Sequence, residues 1–258
     1  MRHFILAACA ALLTACASFE PFTFVQLSDP QIGFLDPSPS YACSDSLMGL
    51  AVEAVNALRP ACVVITGDLV NNPLDPLQDS IYRARVAQFQ VPVHALPGNH
   101  DYLGISADEY RARRGATRFS FRERDCAFIG LDSNCIKDGP AAAEAEQLAW
   151  LEGELLAARD CRYTFVFLHC PVVRESLDEP EDYFNFSPEK RRQYLNLFKA
   201  HGVDYVFAGH THQDYNCEID GIRFVAAGPV GTPLGHGVSG FNLVSVQRAS
   251  VSVSYLPL

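Results

Sequence analysis

The residues able to do chemistry form a series along the chain. Asp29 ends "QLSD", Asp68 ends "VVITGD", Asn99, His100 and Asp101 sit in "GNHD", His169 ends "FVFLH", and His210 and His212 share "GHTH". Asp29, Asp68, Asn99, His169, His210 and His212 each stand at or just beyond the C-terminal end of an apolar run that reads as a β-strand. In an α/β sheet, ligands bind in the crevice outside those ends, so residues remote in sequence converge there. One such polar residue is an ordinary turn former or helix cap; six at successive strand ends point to a site. Carboxylate, carboxamide and imidazole donors without thiolate suit Mn, Fe, Zn or Mg better than soft ions. Two such cations about 3.5–4 Å apart can clamp the attacking and leaving oxygens of a phosphoryl displacement, an arrangement that needs an anionic bridge. Asp68 is the natural bridge, because Gly67 lets the backbone turn tightly before it.

These residues need elements to hold them. Short β-branched runs alternate with amphipathic helical patterns, the signature of α/β architecture. "FTFVQLS" reads as a first strand, "SLMGLAVEAVNALRP" as a helix, "CVVITG" as a strand, residues 77–90 as a helix and "VPVHALPG" as a strand. A short helix near 106–114 and a hairpin in "TRFSFRERDCAFIGLDS" follow. In "AAAEAEQLAWLEGELLAAR", Leu148, Leu151, Leu155 and Ala158 are spaced for one buried helical face, which Trp150 and Leu156 are expected to widen. Ser187 and Pro188 suit the N-cap and first position of the helix "SPEKRRQYLNLFKAHG". The strands "YTFVFLH" and "VDYVFAGH" flank it, and the tail reads as short strands with Gly-rich turns. No repeat or long linker divides residues 20–258, so one compact domain is expected there.

The series Asp29, Gly67-Asp68, Gly98-Asn99-His100-Asp101, His169 and Gly209-His210-Thr211-His212 resembles the calcineurin-like metallophosphoesterase superfamily, over the span Asp29 to His212. The resemblance implies a four-layer α-β-β-α sandwich with two divalent metal ions at the strand ends. Carried over by position, Asp29, Gln31, Asp68 and His212 would hold one metal, and Asp68, Asn99, His169 and His210 the other. His100 would protonate or hydrogen-bond the leaving oxygen, with Asp101 orienting its ring. The nucleophile implied is a hydroxide bridging the metals and attacking phosphorus in line.

The first motif departs from the family's common Asp-x-His, because Gln31 follows Asp29-Pro30. "SDPQIGF", "GDLVN" and "HCPVVRESLDEPEDYFNFSPEKRR" are together similar to the branch of animal Ser/Thr phosphatases built on a single calcineurin-like phosphoesterase domain, where Gln is expected. A carboxamide oxygen makes a harder, weaker site than imidazole and shifts preference toward Mn, Mg or Fe(II). Tyr183 and Asn185, on the acidic loop after His169, and His236, in "GTPLGHGVSG", are candidate substrate contacts. The activity implied is a phosphomonoesterase acting on a phosphorylated small molecule or peptide. A phosphodiesterase or nucleotide diphosphatase is the alternative enzyme, and an inactive envelope binding protein the alternative of another class.

The chain as a whole bounds these readings. With 258 residues, 48% of them hydrophobic, it can bury a full core. A formal charge of −10, spread along the chain, argues against a nucleic-acid-binding surface. Arg2 and His3, then "FILAACAALL", then "LTAC" ending at Cys16, read as a signal peptide of residues 1–15 and a bacterial lipobox with Cys16 lipidated. The protein is therefore expected at the cell envelope on a lipid anchor; if that reading fails, it is cytoplasmic. Of the nine cysteines, seven follow Cys16, none in a C-x-x-C pair, which disfavours a thiolate metal site and leaves disulfide pairing open.

Overall fold

The computed structural model describes residues 19–258; Cys16 and the signal-like segment lie outside them. The order of elements is β1 (Phe22–Leu27), α1 (Ala42–Leu58), β2 (Val63–Ile65), α2 (Pro76–Val86), β3 (Val93–Ala95), α3 (Ala107–Arg114), β4 (Phe119–Glu123) and β5 (Cys126–Gly130). Then come α4 (Ser133–Lys137), α5 (Ala141–Ala157), β6 (Tyr163–Phe167), α6 (Pro188–Ala200), β7 (Tyr205–Ala208), β8 (Tyr215–Ile219), β9 (Ile222–Ala226), β10 (Gly240–Val246) and β11 (Val251–Pro257). One sheet has the order β11-β10-β1-β2-β3 and the other β4-β5-β6-β7-β9-β8. Strands β1, β2 and β3 run parallel, as do β5, β6, β7 and β9, so each sheet presents a row of C-terminal ends.

Alternation along the strands explains the layering, because successive side chains in a strand point to opposite faces. In β1, Phe22 and Phe24 join a core with Phe128, Phe165, Phe167 and Phe207 of the other sheet. Their neighbours Val25 and Leu27 face the opposite way, onto Met48 and Val55 of α1. The other sheet repeats the pattern: Ile129, Val166 and Val206 pack on Leu151 and Leu155 of α5 and on Phe198 of α6. Three apolar layers separate four layers of structure, the α-β-β-α sandwich that the resemblance implied.

One expectation changes in detail. Leu156 does not widen the buried face of α5; it is 56% exposed. Trp150 does extend it: half-buried, it packs against the core that holds Leu151 and Leu155, with the Arg118 guanidinium 5.0 Å from its ring centroid on the outer side. The buried face of α5 includes Glu144, which a Lys190 ion pair and the Tyr194 hydroxyl accommodate. Ser187 caps α6 as expected, accepting from Lys190 N.

Beneath the strand ends, one buried polar contact ties the sheets together. Gln26 of β1 is fully buried, and its amide donates to Ala208 O of β7 at 2.7 Å and to Thr66 Oγ1 at 3.2 Å. Asn242 of β10 donates to its Oε1 at 2.9 Å.

Candidate metal centre

Each site residue sits in the short loop that follows a parallel strand. Asp29 lies two residues beyond β1, Asp68 three beyond β2, Asn99 four beyond β3, and His169 and His210 each two beyond β6 and β7. The backbone there is wound unusually: Asp29, Gln31, Asp68, His210 and His212 all have positive φ, between 34° and 69°. Left-handed conformations are uncommon for residues with a side chain and persist where the surroundings over-determine them, often at functional sites. Gly67 precedes Asp68 at φ 94°, and a Cβ there would come 2.7 Å from His169 Nδ1. At Gly98 a Cβ would fall on Asp68 Oδ1, so the two loops meet only because that side chain is absent.

These loops bring the donors together. Ligand atoms of Asp68, His169 and His210 lie within 4.8 Å of one another. His169 Nε2 is 3.4 Å from Asp68 Oδ1 and 3.0 Å from Asn99 Oδ1, while its Nδ1 is held by Thr66 O at 2.8 Å. His212 is arranged likewise: Nδ1 pairs with Thr232 O at 3.0 Å, and Nε2 points to Asp29 Oδ1 at 3.5 Å. Such carbonyl partners fix the ring orientation of metal-binding histidines. Asp29 Oδ2 is occupied by Ser28 Oγ and by His210 N at 3.0 Å. Its other oxygen, Oδ1, and Gln31 Oε1 are buried without any hydrogen-bond partner.

Two buried acceptors without donors are costly in an ordinary interior. A divalent cation satisfies both, and an amide oxygen beside a carboxylate and imidazoles is a hard-to-borderline donor set. The residues present therefore fit a metal. The electrostatics agree. Burial works to lower His169, but the carboxylates of Asp68 and Asp29 raise it to about 9, the mark of a site rich in negative charge. Burial and then His169 press His210 down to about 4, which leaves its imidazole neutral and able to ligate.

His100 and Asp101 take different places. His100 N donates to Asp68 Oδ1 at 2.8 Å, and its ring Nδ1 meets Asn71 O at 3.2 Å. The expected orientation of that ring by Asp101 is corrected: the fully buried Asp101 carboxylate accepts from Leu69 N, Val70 N and Gly98 N at 2.9 to 3.3 Å. A carboxylate surrounded by three backbone amides has its acceptor sites filled, so Asp101 binds the two loops together and Asn71 holds the ring. Burial, then the Asp68 charge, raises its carboxyl to about 6.

The candidate substrate contacts separate. Tyr183 covers the centre: its hydroxyl accepts from Asn99 Nδ2 at 2.7 Å, and its carbonyl faces His210 Nε2 at 3.0 Å. Asn185 is fully buried and knits its own loop, donating to Glu179 and Pro180 O and accepting from Asp182 N. His236 is exposed in a loop whose Gly237 backs onto the carbonyl of His212. Phe34, unremarked in the sequence, packs 5.2 Å from the His212 ring and 6.2 Å from that of His100. Its signal was its place directly after Gln31-Ile32-Gly33. Lys137, on α4, donates to the carbonyls of Tyr183 and Asn185; no pattern in the sequence marks it.

The family described as Calcineurin-like phosphoesterase matches residues 22–214. The chain belongs to this family. It is accordingly a metal-dependent phosphoric ester hydrolase of the dimetal type. Among individual proteins, it is 30% identical to the serine/threonine-protein phosphatase CPPED1 of Danio rerio, over 91% of this chain and 84% of that protein. The rat protein of the same name is 28% identical over 92% of this chain and 84% of its own length. A solved dimetal phosphatase from Danio rerio superposes with a TM-score of 0.73 at 17% identity, covering 92% of this chain and 96% of that one. At that identity the structure speaks for the fold, which it shares.

Proposed function

We propose that this phosphoesterase is a phosphomonoesterase acting on a phosphorylated small molecule or peptide. One metal would be held by Asp29, Gln31, Asp68 and His212, and the other by Asp68, Asn99, His169 and His210. The observation that carries the metal assignment is the convergence of the Asp68, His169 and His210 donors beside the two partnerless oxygens of Asp29 and Gln31. When bound, the metals supply a nucleophile at neutral pH and positive charge for an in-line displacement. The oxygen-rich first set favours Mn, Mg or Fe(II) there.

The chain's own groups do the rest. The backbone of His100 fixes the Asp68 carboxylate, and Asn71 O occupies ring Nδ1 of His100. That leaves Nε2 to hand a proton to the leaving oxygen. Asn99, His169, Tyr183 and His210 line a small pocket beside the centre, able to receive the phosphoryl group of a monoester. The CPPED1 likeness supports the same reading, and the lipobox-like "LTAC" supports an envelope location on a lipidated Cys16.

The test is turnover by protein lacking residues 1–16, with metal content measured, on an aryl phosphomonoester, an aryl phosphodiester and a phosphopeptide under Mn²⁺, Zn²⁺ and Mg²⁺. Monoester hydrolysis is expected to lead, and Asp68→Asn to lose more than the roughly ten- to hundredfold that removal of even an outer metal partner costs. Full metal loading with no turnover on any ester would sink the enzyme reading; a fully active Asp68→Asn would sink the ligand assignment. For the location, Cys16→Ala is expected to leave the membrane fraction, and its retention there would contradict the anchor.

A further inference from the structure

A cavity of about 500 Å³ lies away from the metal donors. It opens at the edge of the sandwich where β3 and β4, the outermost strands of their sheets, come side by side beneath α2 and α3. Its size falls within the range of small-molecule sites. Four arginines line it, Arg83, Arg113, Arg114 and Arg118, and no carboxylate does. Asp79, which pairs with Arg83 and Arg114, Glu146, which pairs with Arg118, and the buried Asp101, whose charge acts on Arg114, return three negative charges, leaving an excess of one positive. That excess stands out on a chain of formal charge −10.

The arginines are held rather than loosely spread. The Arg114 side chain is only 6% exposed, stacks 4.9 Å over the Tyr82 ring and donates to Asp79 at 2.7 Å. Its Nη1 is buried with no hydrogen-bond partner. Arg113 is braced by Pro73 O at 2.8 Å and Arg83 by Arg113 O at 3.1 Å, each leaving guanidinium donors free. Around them the wall is apolar and aromatic, with Tyr82, Tyr110, His94 and Phe119. His94 is stacked on Phe121, with ring centroids 4.0 Å apart. Forked donors above an aromatic floor match a planar or apolar body carrying an anionic head.

We propose that this cavity is a second binding site, separate from the metal centre, for a small organic anion with an aromatic or apolar body and a phosphate or carboxylate head. Its inner wall includes Leu69, the neighbour of Asp68, whose amide is bonded to Asp101. An occupant therefore rests against the loop that carries the bridging carboxylate, and the site is placed to act as an effector site.

The test is calorimetric binding of 1-naphthylphosphonate and of 1-naphthoate to the metal-loaded protein, to Asp68→Asn and to Arg83→Gln/Arg113→Gln. Both substituted arginines are exposed, and basal turnover of an aryl phosphomonoester by the double variant is expected to match the parent, which also verifies its fold. At least one anion is expected to bind a site that survives Asp68→Asn and weakens about tenfold or more in the arginine variant, the scale of one or two charge-assisted hydrogen bonds. Binding of the phosphonate alone assigns the head as phosphate, and of the naphthoate alone as carboxylate. Absence of binding by either anion, or affinity unchanged by the arginine substitutions, would overturn the proposal.

Discussion

At the scale of single residues, the centre is defined by what its side chains lack. Gln31 Oε1 has no donor in the protein and Asp29 Oδ1 faces only the distant His212 Nε2 at 3.5 Å, and both residues sit on left-handed backbone that has no local reason to be stable. Replacing Gln31 with His exchanges a hard oxygen for a borderline nitrogen. Gln31→His is expected to raise zinc affinity relative to manganese, read as the metal ratio after competitive loading; an unchanged ratio would show that Gln31 is not a ligand. Gly98→Ala is expected to lower both metal content and stability, the latter by about 1–3 kcal/mol, because its methyl group would overlap Asp68 Oδ1. Thermal unfolding with and without metal measures both. Asp29, Asp68, Asn99, His169, His210 and His212 were legible in the sequence because chemistry restricts their types and strand ends fix their places. The true partner of Asp101 was not, since backbone amides are the same at every position and leave no trace in residue identity.

At the scale of elements, the acidic loop between β6 and α6 is shaped from behind by α6. Arg191 is fully buried and its guanidinium donates to the carbonyls of Leu177, Glu179, Pro180 and Phe186. Glu179 faces inward as well and gathers the amides of Arg174, Glu175 and Ser176. The loop carries Tyr183 onto Asn99 and His210, so its shape decides how the centre is covered. Arg191→Met is expected to cost about 2–4 kcal/mol, since several buried carbonyls lose their donor together. It should also open residues 174–186 to limited proteolysis while leaving metal content near normal; an intact loop in a destabilised protein would refute this role. The sequence showed an acidic, aromatic loop and a helix after it, with Ser187 and Pro188 marking the start. It could not show that one arginine of that helix turns inward, because Arg191 and Arg192 have the same chemistry and only packing distinguishes them.

At the scale of the whole molecule, the seven described cysteines are all free thiols. Burial pushes Cys62, Cys126 and Cys170 up to about 12, so the unreactive thiol form dominates at neutral pH. Cys43 is exposed. A disulfide-exchange reagent is expected to modify Cys43 rapidly and those three only on unfolding, counted by mass; fast labelling of Cys62, Cys126 or Cys170 would contradict the core described above. The alternation of apolar strands with amphipathic helices made the α/β class legible, and the four-layer arrangement was legible only through the resemblance of the metal motifs. The pairing of β10 beside β1, and the contact of Gln26 with Ala208 and Asn242, were not, because long-range pairing follows from tertiary closure rather than local pattern. That closure has a consequence in time. The metal donors come from loops spread from Asp29 to His212, after strands of both sheets, and no short segment holds a complete set. Contacts so distant along the chain form late in folding. Metal selection is thus expected to depend on which cations surround the protein once its two sheets have closed.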